Sequence, residues 1–271
     1  MSEVVAWKLG SAALLAACGV LGGLAPWWFG LRPSGARWLG LGSAFAGGVL
    51  LGAGLIHLLG DAIEGFGHLL PDATFPWATS LAGASFFAVL FIERVAPRVA
   101  RVPVGSDPGD EVDQVLEAMD ESSTYPYLLL LTLSVHSLIA GLALGAQASL
   151  AGFAVVFIAV IAHKGAAGFA LGASLHRAGV PRPRALRLIV GFAVMTPLGV
   201  LLGTGASELL ASRSATLFEA VFDAVAGGTF LYIATFDVIR EEFLPPPPDR
   251  ASKWFAAVVG LALMAWLALW V

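Results

Sequence analysis

Eight apolar runs of about twenty residues, separated by polar or Pro/Gly-rich punctuation, leave this chain few ways to satisfy its backbone. A helix of that length crosses about 30 Å of hydrocarbon with its interior N–H and C=O groups bonded within the segment. The runs fall at 4–29, 38–59, 76–95, 126–148, 150–175, 187–209, 216–239 and 253–271. Of the 271 residues 58% are hydrophobic and only 13% charged, a balance that a soluble domain does not tolerate. The expectation is an all-α integral membrane protein, one transmembrane domain over 1–271. The single cysteine, Cys18, excludes an intrachain disulfide. Leu15-Ala16-Ala17-Cys18 looks like a lipoprotein cleavage box, but Glu3 and the apolar run continuing to Phe29 favour a retained first helix.

Basic residues test this division, because they collect in alternate loops of a correctly drawn membrane protein. Arg32, Arg37, Arg94, Arg98, Arg101, Arg177, Arg182, Arg184, Arg187, Arg240, Arg250 and Lys253 fall on one side, twelve of the fifteen. Lys8 and Arg213 fall on the other, and Lys164 lies within a span. An even number of helices with both termini on the extracytoplasmic side fits this distribution. Residues 96–125 form an acidic cytoplasmic loop between helices three and four. It holds Asp107, Asp110, Glu111, Asp113, Glu117, Asp120 and Glu121, with Val112, Val115, Leu116 and Met119 at the spacing of a short amphipathic helix. The four prolines at 245–248 read as a stiff linker into the last helix. No nucleic-acid or phosphate-binding signature appears. The excess of arginine over lysine hints at a GC-rich bacterial genome and hence a cytoplasmic membrane.

Residues 136–146, HSLIAGLALGA, are nearly repeated at 163–173, HKGAAGFALGA. Helices four and five turn near Ser149, so they are expected to be antiparallel neighbours. His136 lies thirteen residues before that turn and His163 fourteen after it, which places both about 20 Å from it at 1.5 Å per residue. Two imidazoles at equal depth within a bilayer are costly unless they serve a polar pathway, and imidazole suits zinc, iron and related ions. Gly141, Gly145, Gly168 and Gly172 give each helix a small-residue stripe along which the two are expected to approach, with a local pseudo-two-fold axis.

Ser137 and Lys164 follow the two histidines, and helix two ends in His57-Leu-Leu-Gly-Asp61. Asp61 and Glu64 are expected at the outer mouth, where carboxylates collect cations. On helix seven, Asp223 is expected to face a buried pathway, with Glu219 and Asp237 as further carboxylates. His68 and His176 are expected in solvated loops. An intramembrane enzyme is not expected: Ser137 is turned about 100° from its neighbour His136 on a helix, and no HExxH pair occurs.

These segments together resemble the Zrt/Irt-like (ZIP) divalent metal transporters. HLLGDAIE at 57–64 is similar to the second-helix pattern of that family, HSLIAGLALG at 136–145 to the fourth, and His163-Lys164 to the fifth-helix HK or HE pair. MTPLG at 195–199 and GTFLYIATFDVI at 228–239 are similar to the sixth- and seventh-helix signatures. The resemblance implies a ZIP-like bundle with inverted symmetry that moves divalent cations, zinc first and iron or manganese next, into the cytosol through a site between helices four and five. It aligns His136, Ser137, His163 and Lys164 with the metal site; Lys164, if charged, is no ligand. His57, Asp61 and Asp223 complete the expected metal-handling set. No cofactor is expected beyond the transported ion, and a homodimer is left open. Where the family commonly carries glutamates, this chain has Ala140 and Ala167, so a single weaker site is expected rather than a carboxylate-bridged pair. The same departure leaves a transport-inactive sensor or assembly partner as the alternative.

Overall fold

The computed structural model describes residues 3–30, 35–96, 111–147, 149–205, 213–244 and 249–269. Its helices are α1 (Glu3–Gly30), α2 (Gly35–Gly52, a π-helical stretch Ala53–Leu58, then Leu59–Leu69) and α3 (Trp77–Leu90 with a π-helical end, Phe91–Val95). Next come α4 (Glu111–Ala146), α5 (Leu150–Arg177) and α6 (Arg182–Gly205). The chain continues as α7 (Arg213–Tyr232, π-helical Ile233–Ile239, then Arg240–Phe243) and ends in α8 (Arg250–Leu267). Eight helices among the described residues are long and apolar enough to cross a membrane, and none of those residues is in a strand.

Two helices run further than the apolar pattern predicts. α2 continues past residue 59 to Leu69, because after the apolar run stops Ala62 and Phe66 still keep one buried face while Asp61 and Glu64 stay exposed. The amphipathic segment before helix four is no separate helix: its backbone from Glu111 onward is continuous with the span through Pro126. Residues 97–110, the proline run and the side chains of 111–125 and Asp237 lie outside what is described.

Two four-helix groups share the fold. α1 packs on α5 and α6, and α4 on α6; α2 packs on α8 and α7, and α7 on α3. The main seam between the groups is α2 against α5.

Glycine decides the close contacts, though not in the pairing expected. The Gly141/Gly145 stripe of α4 faces α6, where added Cβ atoms would collide with the backbone of Thr196, Gly199 and Val200. The Gly168/Gly172 stripe of α5 faces Gly19 and Gly23 of α1. The two stripes therefore do not meet each other. Each finds a second stripe, Gly199/Gly203 or Gly19/Gly23, and glycine against glycine permits the closest approach of two backbones.

Helix ends are satisfied locally. Ser149 accepts from the amide of Gly152 at 3.1 Å and starts α5. Gly179, at φ +67°, stops it: the Val180 amide reaches back to the Leu175 carbonyl at 3.1 Å, and Pro181 follows. Buried Lys8 of α1 donates to the Gly145 carbonyl at 2.6 Å, placing a cation at the carboxyl end of α4 where carbonyls lack helical partners.

Candidate metal site

His136 and His163 meet. Their Nε2 atoms are 3.4 Å apart, and both rings are buried. The two histidines expected at equal depth are thus in contact, even though α4 touches α6 more extensively than it touches α5. Phe230 of α7 closes one side, its ring centroid 4.6 Å from that of His136 and 6.4 Å from that of His163. Two imidazole nitrogens bound to one tetrahedral zinc at about 2.0–2.1 Å stand about 3.3 Å apart. The observed spacing therefore suits either one hydrogen bond between the rings or one ion held between them.

His57 stands next in line, its ring centroid 6.1 Å from that of His163. It projects from the π-helical stretch of α2, and such widened turns recur at functional sites. Asp61, one turn further, holds its Nδ1 at 3.1 Å and is half exposed, at 51%. Asp223 on α7 is partly buried and within electrostatic range of Asp61 and Glu219. Glu64 instead pairs with His68 at 3.4 Å on the exposed face of α2. Both of the remaining histidines occupy helix ends rather than loops. His68 is in the last turn of α2, and His176, in the last turn of α5, packs edge-on against Trp27 with ring centroids 5.3 Å apart.

Lys164 is buried beside the imidazole pair without joining it. Its Nζ donates to Ser137 Oγ and Thr196 Oγ1, both at 2.9 Å, and lies 3.9 Å from the centroid of the Phe192 ring. Hydroxyl lone pairs and the negative face of an aromatic ring are acceptable neighbours for an ammonium group. Ser137, aligned as a possible ligand, thus accepts from Lys164. Phe192 of α6 escaped the sequence reading, and Thr196 entered it only within MTPLG, not as a site residue; a threonine beside Pro197 inside an apolar span was the available signal.

Ala167 is buried in the main core, and Ala140 packs against the cluster that contains Leu144 and Val160. No carboxylate is supplied from either position. Among the described residues no three His, Cys, Asp or Glu side chains form a group able to hold a metal ion. Two imidazoles, with a third ring and its carboxylate partner one step away, are what the geometry offers a cation.

A family model described as ZIP zinc transporter matches residues 5–115 and 102–268. The chain is 30% identical over 267 residues to zinc transporter ZIP2 of Mus musculus, covering 86% of each chain. It is 29% identical over 256 residues to the Homo sapiens ZIP2, covering 82% of each. Against zinc transporter ZIP1 of Danio rerio it is 30% identical over 251 residues, again covering 82% of each. These are vertebrate proteins and lend no support to the bacterial source that the arginine excess suggests. Matched from its first helix to its last, the chain belongs to the ZIP zinc transporter family.

Proposed function

We propose that this protein carries zinc, or a related divalent cation, across a membrane into the cytosol, through a site formed by His136 and His163 at mid-depth between α4 and α5. The spacing of the two buried Nε2 atoms, 3.4 Å, carries the reading. Asp61 and Asp223 gather the cation at the outer end. His57, steered by Asp61, passes it inward. The imidazole pair replaces part of its water shell, and with few protein ligands the ion stays loosely enough bound to leave. The relatives named above are zinc transporters by name, which supports this cargo and a non-catalytic role. Zinc uptake into proteoliposomes tests it: flux well above empty vesicles is expected, and none with zinc, iron or manganese sinks it.

A second reading has its own observation. The packing of Ala140 and Ala167 against apolar neighbours and the two-imidazole site favour a transport-inactive member that senses metal or assembles with a partner. Zinc binding without flux distinguishes it.

Lys164 sets the affinity. An ammonium beside a dication costs several kcal/mol at intermediate dielectric, on the order of 4 kcal/mol for unit charges 4 Å apart. Lys164→Met, which keeps the chain length and removes the charge, is expected to tighten zinc binding at least about tenfold by titration calorimetry. Unchanged affinity would place the ammonium out of reach of the ion.

A further inference from the structure

At the end of the molecule where α5 and α7 finish and α2 and α8 begin, one side chain of the first helix group is held by two helices of the second, with a third bracing one of its partners. Arg177, in the last turn of α5, donates through Nη1 to Glu241 and through Nη2 to Glu242, both of α7. Its Nη2 also reaches Ser43 Oγ of α2 at 2.9 Å. Lys253 of α8 donates to the other carboxylate oxygen of Glu242 at 2.8 Å.

Exposure separates this network from an ordinary surface pair. Glu242 is 4% and Lys253 9% exposed, whereas exposed pairs contribute little. Both oxygens of Glu242 are engaged, so withdrawing Arg177 strips one buried oxygen of its partner while Lys253 keeps the other. The backbone of α2 makes room for it: a Cβ at Gly40 would stand 2.7 Å from Lys253 Cε and 3.0 Å from Glu242 Oε2.

The surroundings on either side of the imidazole pair are unequal. On one side stand His57 and Asp61, the carboxylate half exposed. On the side of Arg177 the α5 face is apolar and packed. Phe169, Ala173 and Arg177 follow one another at four-residue spacing on one face of α5. Phe169 and Ala173 are buried, and the Phe169 ring occupies the space that the missing side chain of Gly42 leaves on α2.

We propose that Arg177 is an ionic latch: bound to Glu241 and Glu242 it holds this end of the pathway shut, and its release accompanies opening towards that side. The idea rests on the transport reading, but its test reads closure directly and needs no metal flux.

The full-length chain is given a reporter cysteine at Ala173→Cys in a Cys18→Ala background, and a separate version carries Gly60→Cys, where a Cβ meets no atom within 4 Å, at the opposite end. Labelling rates with a small methanethiosulfonate reagent are compared with and without Arg177→Gln. The latch variant is expected to raise the rate at position 173 roughly tenfold, the factor for about 1.4 kcal/mol, and to leave the rate at position 60 unchanged. Arg177→Lys, which keeps the charge but loses the planar fork, is expected to give a smaller rise with the same selectivity. An unchanged rate at 173, or equal rises at both positions in both variants, overturns the latch.

Discussion

Replacing both imidazoles, as His136→Ala/His163→Ala, is expected to reduce zinc uptake by at least about a hundredfold, to the level of empty vesicles. The size of the effect follows from what is left behind. Ser137 Oγ already accepts from Lys164, Ala140 and Ala167 supply no oxygen, and His57 with Asp61 is a step away towards the outer end. A dication reaching this depth would then meet Phe230 and an ammonium group, with water as its only ligand. The variant loses one hydrogen bond, about 1 kcal/mol, and the packing of two buried rings on Phe230, so monodispersity is checked before flux. A monodisperse double variant that retains more than a tenth of wild-type uptake would move the pathway away from the α4–α5 pair.

The spans and the central pair were legible because each depends on one-dimensional information. Span length reports bilayer thickness. The equal distances of His136 and His163 from Ser149 report depth, and the structure closes that geometry to 3.4 Å. Partner choice is a different kind of information. The stripes on α4 and α5 were visible, but so were Gly19/Gly23 and Gly199/Gly203, and spacing alone does not say which two stripes meet. Loop length brought α4 and α5 together in sequence; backbone complementarity packed them on α6 and α1 instead.

The surroundings of the site were less legible for a related reason. Ser137 and Lys164 were found because they adjoin the histidines. Thr196 and Phe192 lie on another helix; a threonine beside a proline in an apolar span was the one mark there, and nothing local singles out Phe192 as part of the seat of an ammonium group. The π-helical stretches of α2, α3 and α7 also leave no periodic signature, since one widened turn shifts the helix face without changing composition. The network of Arg177 was hidden most completely, because its members sit at helix ends that a hydropathy reading treats as loop charges.

Gly199→Leu is expected to cost most of the folded protein, while Gly191→Leu on the same helix is expected to behave as wild type. A Cβ at position 199 would sit on the Leu138 carbonyl oxygen and 2.9 Å from Gly141 Cα, all of it backbone that no rotamer change can move. At Gly191 nothing lies within 4 Å. In a bilayer the lipid tails are as apolar as the side chains, so α4 and α6 hold together through contact rather than exclusion from water. Separating them forfeits the dispersion contacts of the whole seam. Overpacking of this kind costs about 1–3 kcal/mol when side chains can adjust, and more is expected here because they cannot. The damage also reaches the site, since Thr196 lies one turn from Gly199 and holds Lys164. Thermal loss of the monodisperse peak in size-exclusion chromatography measures it. If Gly199→Leu and Gly191→Leu lose that peak at the same temperature, the close approach of α4 and α6 does not hold this bundle together.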